Sequence, residues 1–75
     1  MSFPVRDPNF ESLRLELGRH RAARGWTYDE LAERSGVTRR TLIAMETGTT
    51  NGRVDSWFRV SQAFGLEVGD LLRAL

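Results

Sequence analysis

The sequence predicts an all-α domain of five short helices. Three observations predict it. Apolar residues recur at spacings of three and four, polar capping residues stand just before those runs, and glycines stand just after them. No stretch reads as a strand. Seventy-five residues make one small domain with a single core.

Residues 1–9 contain Pro4 and Pro8 and no periodicity, so they are expected to form a flexible leader, with Arg6 as a candidate phosphate-seeking arm. The domain proper is placed over 10–75. Asn9 caps a first helix over about 10–24, stopped by Gly25 and striped by Phe10, Leu13 and Leu17. That stripe runs on to His20 and Arg21, and His20 is read as a partly buried histidine capped by a backbone group. Thr27 opens the second helix with Glu30 three residues on, the spacing of a capping box. Leu31 and Ala32 face inward, and the helix ends near Gly36. Thr38 caps a third helix over about 39–46, stopped by Gly48. Residues 49–53, Thr-Thr-Asn-Gly-Arg, form a polar loop. A fourth helix over 54–64 carries Val54, Trp57, Val60, Ala63 and Phe64 and ends at Gly65. Leu66 and Val68 lead into a short last helix with Leu71 and Leu72.

The composition excludes several classes. Without cysteine there is neither a disulfide framework nor a thiolate metal site, and one histidine builds no metal centre. No apolar stretch approaches the roughly 18 residues of a membrane span, and residues 1–9 lack the apolar run of a signal peptide. The expected location is the cytoplasm, with no membrane partner, no cofactor and no evident small-molecule substrate. The sequence has no Cys/His pair, no Gly-rich phosphate loop and no buried carboxylate pair at helical spacing, so no enzyme is expected. Net charge is only +1, but it is unevenly spread. All eleven cations are arginines. Residues 19–40 carry six of them against Asp29, Glu30 and Glu33, whereas residues 54–75 carry two against Asp55, Glu67 and Asp70.

The third helix has chemical content. At about 100° per residue, Arg39, Arg40, Ile43, Ala44 and Thr47 share one face, and Leu42, Met45 and Glu46 share the other. The second face holds the core residues, so the first is expected to be exposed, including its isoleucine. A major groove suits such a face: arginine pairs bidentately with guanine O6 and N7, and an apolar side chain meets a thymine methyl. Residues 27–46 thus encode two short helices joined by a turn on Gly36, the second opening with two adjacent arginines. That is the layout of a DNA-binding helix-turn-helix.

Residues 13–72 also resemble the Cro and phage-repressor type of helix-turn-helix proteins, also called the xenobiotic-response-element type. The resemblance lies in Arg21, Arg24-Gly25-Trp26-Thr27, Asp29-Glu30-Leu31-Ala32, Ser35-Gly36-Val37-Thr38, Leu42, Glu46 and Gly48, followed by Ala63-Phe64-Gly65-Leu66 and Asp70-Leu71-Leu72. It implies a compact, lambda-repressor-like five-helix domain. It also implies that Arg39, Arg40, Ile43 and Ala44 contact bases, and that Thr27, Tyr28, Thr38, Thr47, Thr49, Thr50, Asn51 and Arg53 contact phosphate. The family favours glutamine where Tyr28 stands, and a proline in the loop that here has none. Arg21 and Glu46 match an inward ion pair in such proteins. The family usually has an aliphatic residue at the place of His20.

The expected function is sequence-specific binding of double-stranded DNA by a transcriptional regulator. Repression from a palindromic operator is expected, with a homodimer spanning half-sites about 34 Å apart and Leu66, Val68 and Leu75 near its two-fold axis. The alternatives are an antitoxin-like or other protein-interaction module that autoregulates, and the DNA-binding fragment of a longer regulator. A chain ending right after its last helix suits either a minimal protein or a trimmed domain.

Overall fold

Side chains start three of the helices. Asn9 Oδ1 accepts from Ser12 N, Thr27 Oγ1 from Glu30 N and Thr38 Oγ1 from Thr41 N, at 2.9, 3.1 and 3.2 Å. Each cap satisfies a backbone donor that the first helical turn leaves without an internal partner. In the computed structural model, which describes residues 4–75, the elements are α1 (Phe10–Ala23), α2 (Tyr28–Ser35), α3 (Arg39–Thr47), α4 (Val54–Phe64) and α5 (Val68–Leu72), with no strand among the described residues. The molecule is all-α and five-helical.

The second helix departs from its expected start. Only the forward half of the capping box forms there, because Glu30 Oε1 accepts from Arg34 Nε at 2.8 Å instead of reaching back to Thr27. The pair one turn apart offers the carboxylate a full positive charge, a stronger partner than a backbone amide. At α5, Asp70 Oδ2 accepts from Glu67 N at 3.0 Å.

The helices enclose one core. Leu13 and Leu17 of α1, Leu31 of α2, Leu42 and Met45 of α3, Trp57, Val60 and Phe64 of α4, and Leu71 of α5 are buried, with Val37 of the turn. Helix α2 packs against α3 and α4, while α1 packs against α3 and α5. The recognition-type pair α2–α3 is therefore backed on both sides. Val54 is the exception to the apolar stripe expected on α4. It is 75% exposed, because the first residue of the helix projects beyond the core that Trp57 and Val60 reach.

A second, partly exposed cluster joins the end of α1 to α2 and the end of α4. The Trp26 and Phe64 rings stack with centroids 5.7 Å apart. Arg34 lies 4.4 Å over Trp26 and Arg24 lies 4.7 Å over Phe64. Arg24 also donates to the carbonyls of His20 and Phe64, at 3.0 and 2.8 Å. These contacts combine cation–π attraction with the capping of two carbonyls by one guanidinium.

Of the leader expected over 1–9, residues 1–3 lie outside the described residues. Residues 4–8, Arg6 included, are exposed and have no regular secondary structure. Asn9 is already tied into the fold, since its N–H donates to Leu75 O at 3.0 Å. No helix among the described residues is long and apolar enough to cross a membrane.

Candidate nucleic-acid interface

The exposed surface of α3 begins at its first turn. Thr38 turns the chain from extended backbone into helix, and the next two residues, Arg39 and Arg40, project into solvent. Leu42 and Met45 anchor the opposite face in the core. Arg40 has no carboxylate partner among the described residues. Arg39 has one, Asp29 of α2, with Nε 3.2 Å from Oδ1.

Ile43 and Ala44 differ from the fully exposed positions that the helical wheel gives them. Both are half-buried. The loop after α3 folds back on this turn, where Thr50 N donates to Ala44 O at 3.2 Å, and within the helix Thr47 Oγ1 donates to Ile43 O at 2.7 Å. What remains open for contact is an arginine pair with a narrower apolar strip behind it.

Several hydroxyls of the same surface are engaged within the protein. Thr38 Oγ1 caps α3 and lies 2.9 Å from Thr41 Oγ1. Thr47 Oγ1 also lies 3.2 Å from Thr49 Oγ1, and Thr50 Oγ1 accepts from Gly52 N at 3.2 Å. Thr27 Oγ1 accepts its cap hydrogen bond and keeps its own proton for another acceptor. Arg53 is exposed beside Asp55, at 3.3 Å.

The loop that lacks the family's proline is shaped by other residues. Gly52 has φ +82°, and a Cβ there would fall 2.6 Å from Trp57 Nε1 and 3.2 Å from Met45. The Trp57 indole donates to Asn51 O at 2.9 Å. A left-handed glycine and an indole hydrogen bond therefore hold the loop where proline rigidity is missing. Nothing in a single sequence marks Trp57 as the partner of this loop.

The depth of α3 is set from α1. Arg21 Nε and Nη2 donate to the two carboxylate oxygens of Glu46 at 3.0 and 2.9 Å, and Nη1 donates to Trp26 O at 2.9 Å. The two side chains are 20% and 18% exposed. This two-pronged pair raises the Arg21 guanidinium above its ordinary value. Gly18 lets the helices approach: a Cβ there would lie 2.8 Å from Glu46 Oε1. Arg14 Nη1 reaches Glu46 O at 3.4 Å. Arg14, Gly18 and Arg21 share a face of α1 at spacings of four and three, a signal that the apolar stripe overshadows.

Tyr28 does not stand free at the start of α2. It is half-buried with its ring 4.2 Å beneath the Arg21 guanidinium, and burial followed by the nearby Glu46 carboxylate pushes its phenol up. His20 lies between Glu16, Arg19 and Arg24, with its ring 5.3 Å from Phe64. Burial first, and then the two arginines, hold its imidazole below the ordinary value. Arg24 donates at 3.2 Å from Nδ1, so a guanidinium stands where a backbone cap is expected. Leu66, Val68 and Leu75 are half-buried against the core, while Val54 and Phe58 are the exposed apolar residues of α4.

Comparison with known proteins agrees with this geometry. An HTH-type transcriptional regulator of Methanothermobacter thermautotrophicus, named as uncharacterized, is 42% identical over 55 residues, which cover 73% of this chain and 80% of the relative. Similarly named proteins of Methanocaldococcus jannaschii and Archaeoglobus fulgidus are each 30% identical over 59 residues, covering 79% of this chain and 89% and 84% of theirs. No solved structure matches at comparable stringency. The helix-turn-helix family model matches residues 17–71, from the buried Leu17 of α1 to the buried Leu71 of α5. The chain belongs to the helix-turn-helix family of the Cro and phage-repressor type.

Proposed function

We propose that this protein is a transcriptional regulator that binds double-stranded DNA sequence-specifically, with α3 in the major groove. The observation that carries the reading is the first turn of α3. It presents Arg39 and Arg40 to solvent from a helix whose other face is locked into the core and onto α1. A rigid helix end bearing two guanidiniums is matched to guanine O6 and N7. Ile43 and Ala44 follow one turn later as the apolar part of the reader. Thr27, Tyr28, Thr38, Thr47, Thr49, Thr50, Asn51 and Arg53 ring this surface as the phosphate-contacting set. The names of the relatives, HTH-type transcriptional regulators, support a regulatory role.

One copy offers few base contacts, so the operator is a palindrome bound by two copies, and two linked sites supply the affinity. Leu66, Val68 and Leu75 lie nearest the two-fold axis in this arrangement. The protein acts in the cytoplasm as a repressor, without catalysis, by occupying DNA that polymerase needs. Selection of bound fragments from random duplex DNA tests the reading and returns half-site spacing. On the selected site, Arg40→Ala is expected to cost about 1–3 kcal/mol and to relax the preference at one guanine. An equal loss on random duplex makes Arg40 a phosphate contact instead. Titration of whole and half operators, with mass measured at each step, checks the dimer: equal affinity for both disproves it.

A further inference from the structure

The two arginines at the start of α3 are not equivalent. Arg40 has no carboxylate near it among the described residues, while Arg39 is joined to Asp29 in the first turn of α2. The contact is made by Arg39 Nε, the inner nitrogen of the guanidinium, at 3.2 Å from Oδ1. The contact is a charge pair and not an aligned hydrogen bond, and it draws the inner part of the guanidinium toward Asp29. The two outer nitrogens form one edge that fits guanine O6 and N7, and the carboxylate beside Nε disfavours the alternative edge that uses Nε.

In water the pair is weak, because Arg39 is 59% and Asp29 81% exposed. Its stability is not its significance. A carboxylate on the surface that meets DNA repels every phosphate and lowers affinity for all sequences alike. The same carboxylate biases a long side chain toward one approach, which favours the sequence that accepts it. The repulsion keeps binding to random DNA weak in absolute terms, and the second effect is the one that increases the ratio of specific to random binding.

We propose that Asp29 is a specificity-determining residue that positions Arg39 for one guanine and suppresses binding to random DNA. It does not touch a base; it acts through Arg39. The proposal rests on the reading that α3 enters the major groove.

The test uses the full chain and its selected duplex, with a random duplex of equal length as the second probe. Asp29→Asn keeps the shape and removes the charge. It is expected to bind the random duplex about three- to tenfold more tightly while discrimination at one base pair falls by a similar factor. Arg39→Ala loses discrimination at that same base pair, and adding Asp29→Asn to it lowers discrimination no further. In the DNA-free protein, the Arg39 Nε–Hε resonance shifts on Asp29→Asn. If Asp29→Asn tightens binding to every duplex equally and its base profile matches that of the unaltered protein, Asp29 is only a repulsive charge and the proposal is overturned. An unmoved Arg39 resonance, or a further loss of discrimination in the Arg39→Ala background, overturns it as well. Failure of the groove reading is distinguishable: it shows in the unaltered protein, as selection without any base preference.

Discussion

At residue scale, Glu46 ties α3 to α1 through a side-chain pair. It receives both prongs of Arg21 in a place about four-fifths hidden from water. Glu46→Ala leaves the guanidinium with Trp26 O and the face of Tyr28, so about 2 kcal/mol of stability is expected to go, less than for a fully buried pair because Arg21 can still reach solvent. Denaturant melts of Glu46→Ala, Arg21→Ala and the double variant check this. Additive losses would show that the pair does not interact. His20 gives a pH signature of opposite origin. Its folded value lies below the ordinary 6.5, since burial and the cations of Arg19 and Arg24 outweigh the help of Glu16. The unfolded chain therefore binds the proton first. Stability is full above about pH 6.5 and falls as the pH drops from there toward the lower folded value. His20→Gln is expected to flatten that window. Glu16, held below 4.5 chiefly by Arg19, adds a separate loss only at lower pH, so melts at about pH 7 and about pH 5.5 isolate the histidine.

At the scale of elements, the loop between α3 and α4 depends on one backbone conformation. Gly52→Ala forces a side chain into left-handed φ and drives a methyl against the Trp57 indole that donates to Asn51 O. A loss of about 2 kcal/mol is expected from the backbone term and the displaced indole together. A lower denaturation midpoint at unchanged slope measures it. Helix ends were legible in the sequence because their causes are local. Asn9, Thr27 and Thr38 cap through the next three residues, and Gly36, Gly48 and Gly65 stop α2, α3 and α4, so the expected and observed limits of α1 and α3 differ by one residue. Long-range geometry was not legible. The turn of Glu30 toward Arg34, the exposure of Val54 and the partial burial of Ile43 depend on rotamers and on where distant segments meet. The candidate interface divides the same way: the face bearing Arg39 and Arg40 follows from helical periodicity, whereas the Asp29 contact needs the crossing of α2 and α3.

For the whole molecule, net charge predicts how binding responds to salt. The chain carries +1, and the cations around the α3 surface are Arg39, Arg40 and Arg53. Neutral hydroxyls position DNA without displacing counterions. With Arg53 on phosphate and Arg39 and Arg40 reading bases beside it, about one to three phosphates are neutralised per copy, and log affinity should fall with log salt at a slope of about −1 to −3 for a half operator and about twice that for a whole one. Titrations across salt concentrations provide the check, and a half-operator slope well beyond −3 would mean that further cations, such as Arg6, reach the backbone. A different consequence follows from the bond between Asn9 N and Leu75 O. The path of the chain through the folded body is nearly a closed circuit, with entry and exit 3.0 Å apart at that bond. Topologically the domain behaves like a bead on a string. A short tether could join residue 75 to residue 9 and the ring could be reopened in the exposed stretch at 49–51, which would loosen the loop bonds of Thr50 and Asn51 and change the order of helices along the sequence while the core contacts between helices remained.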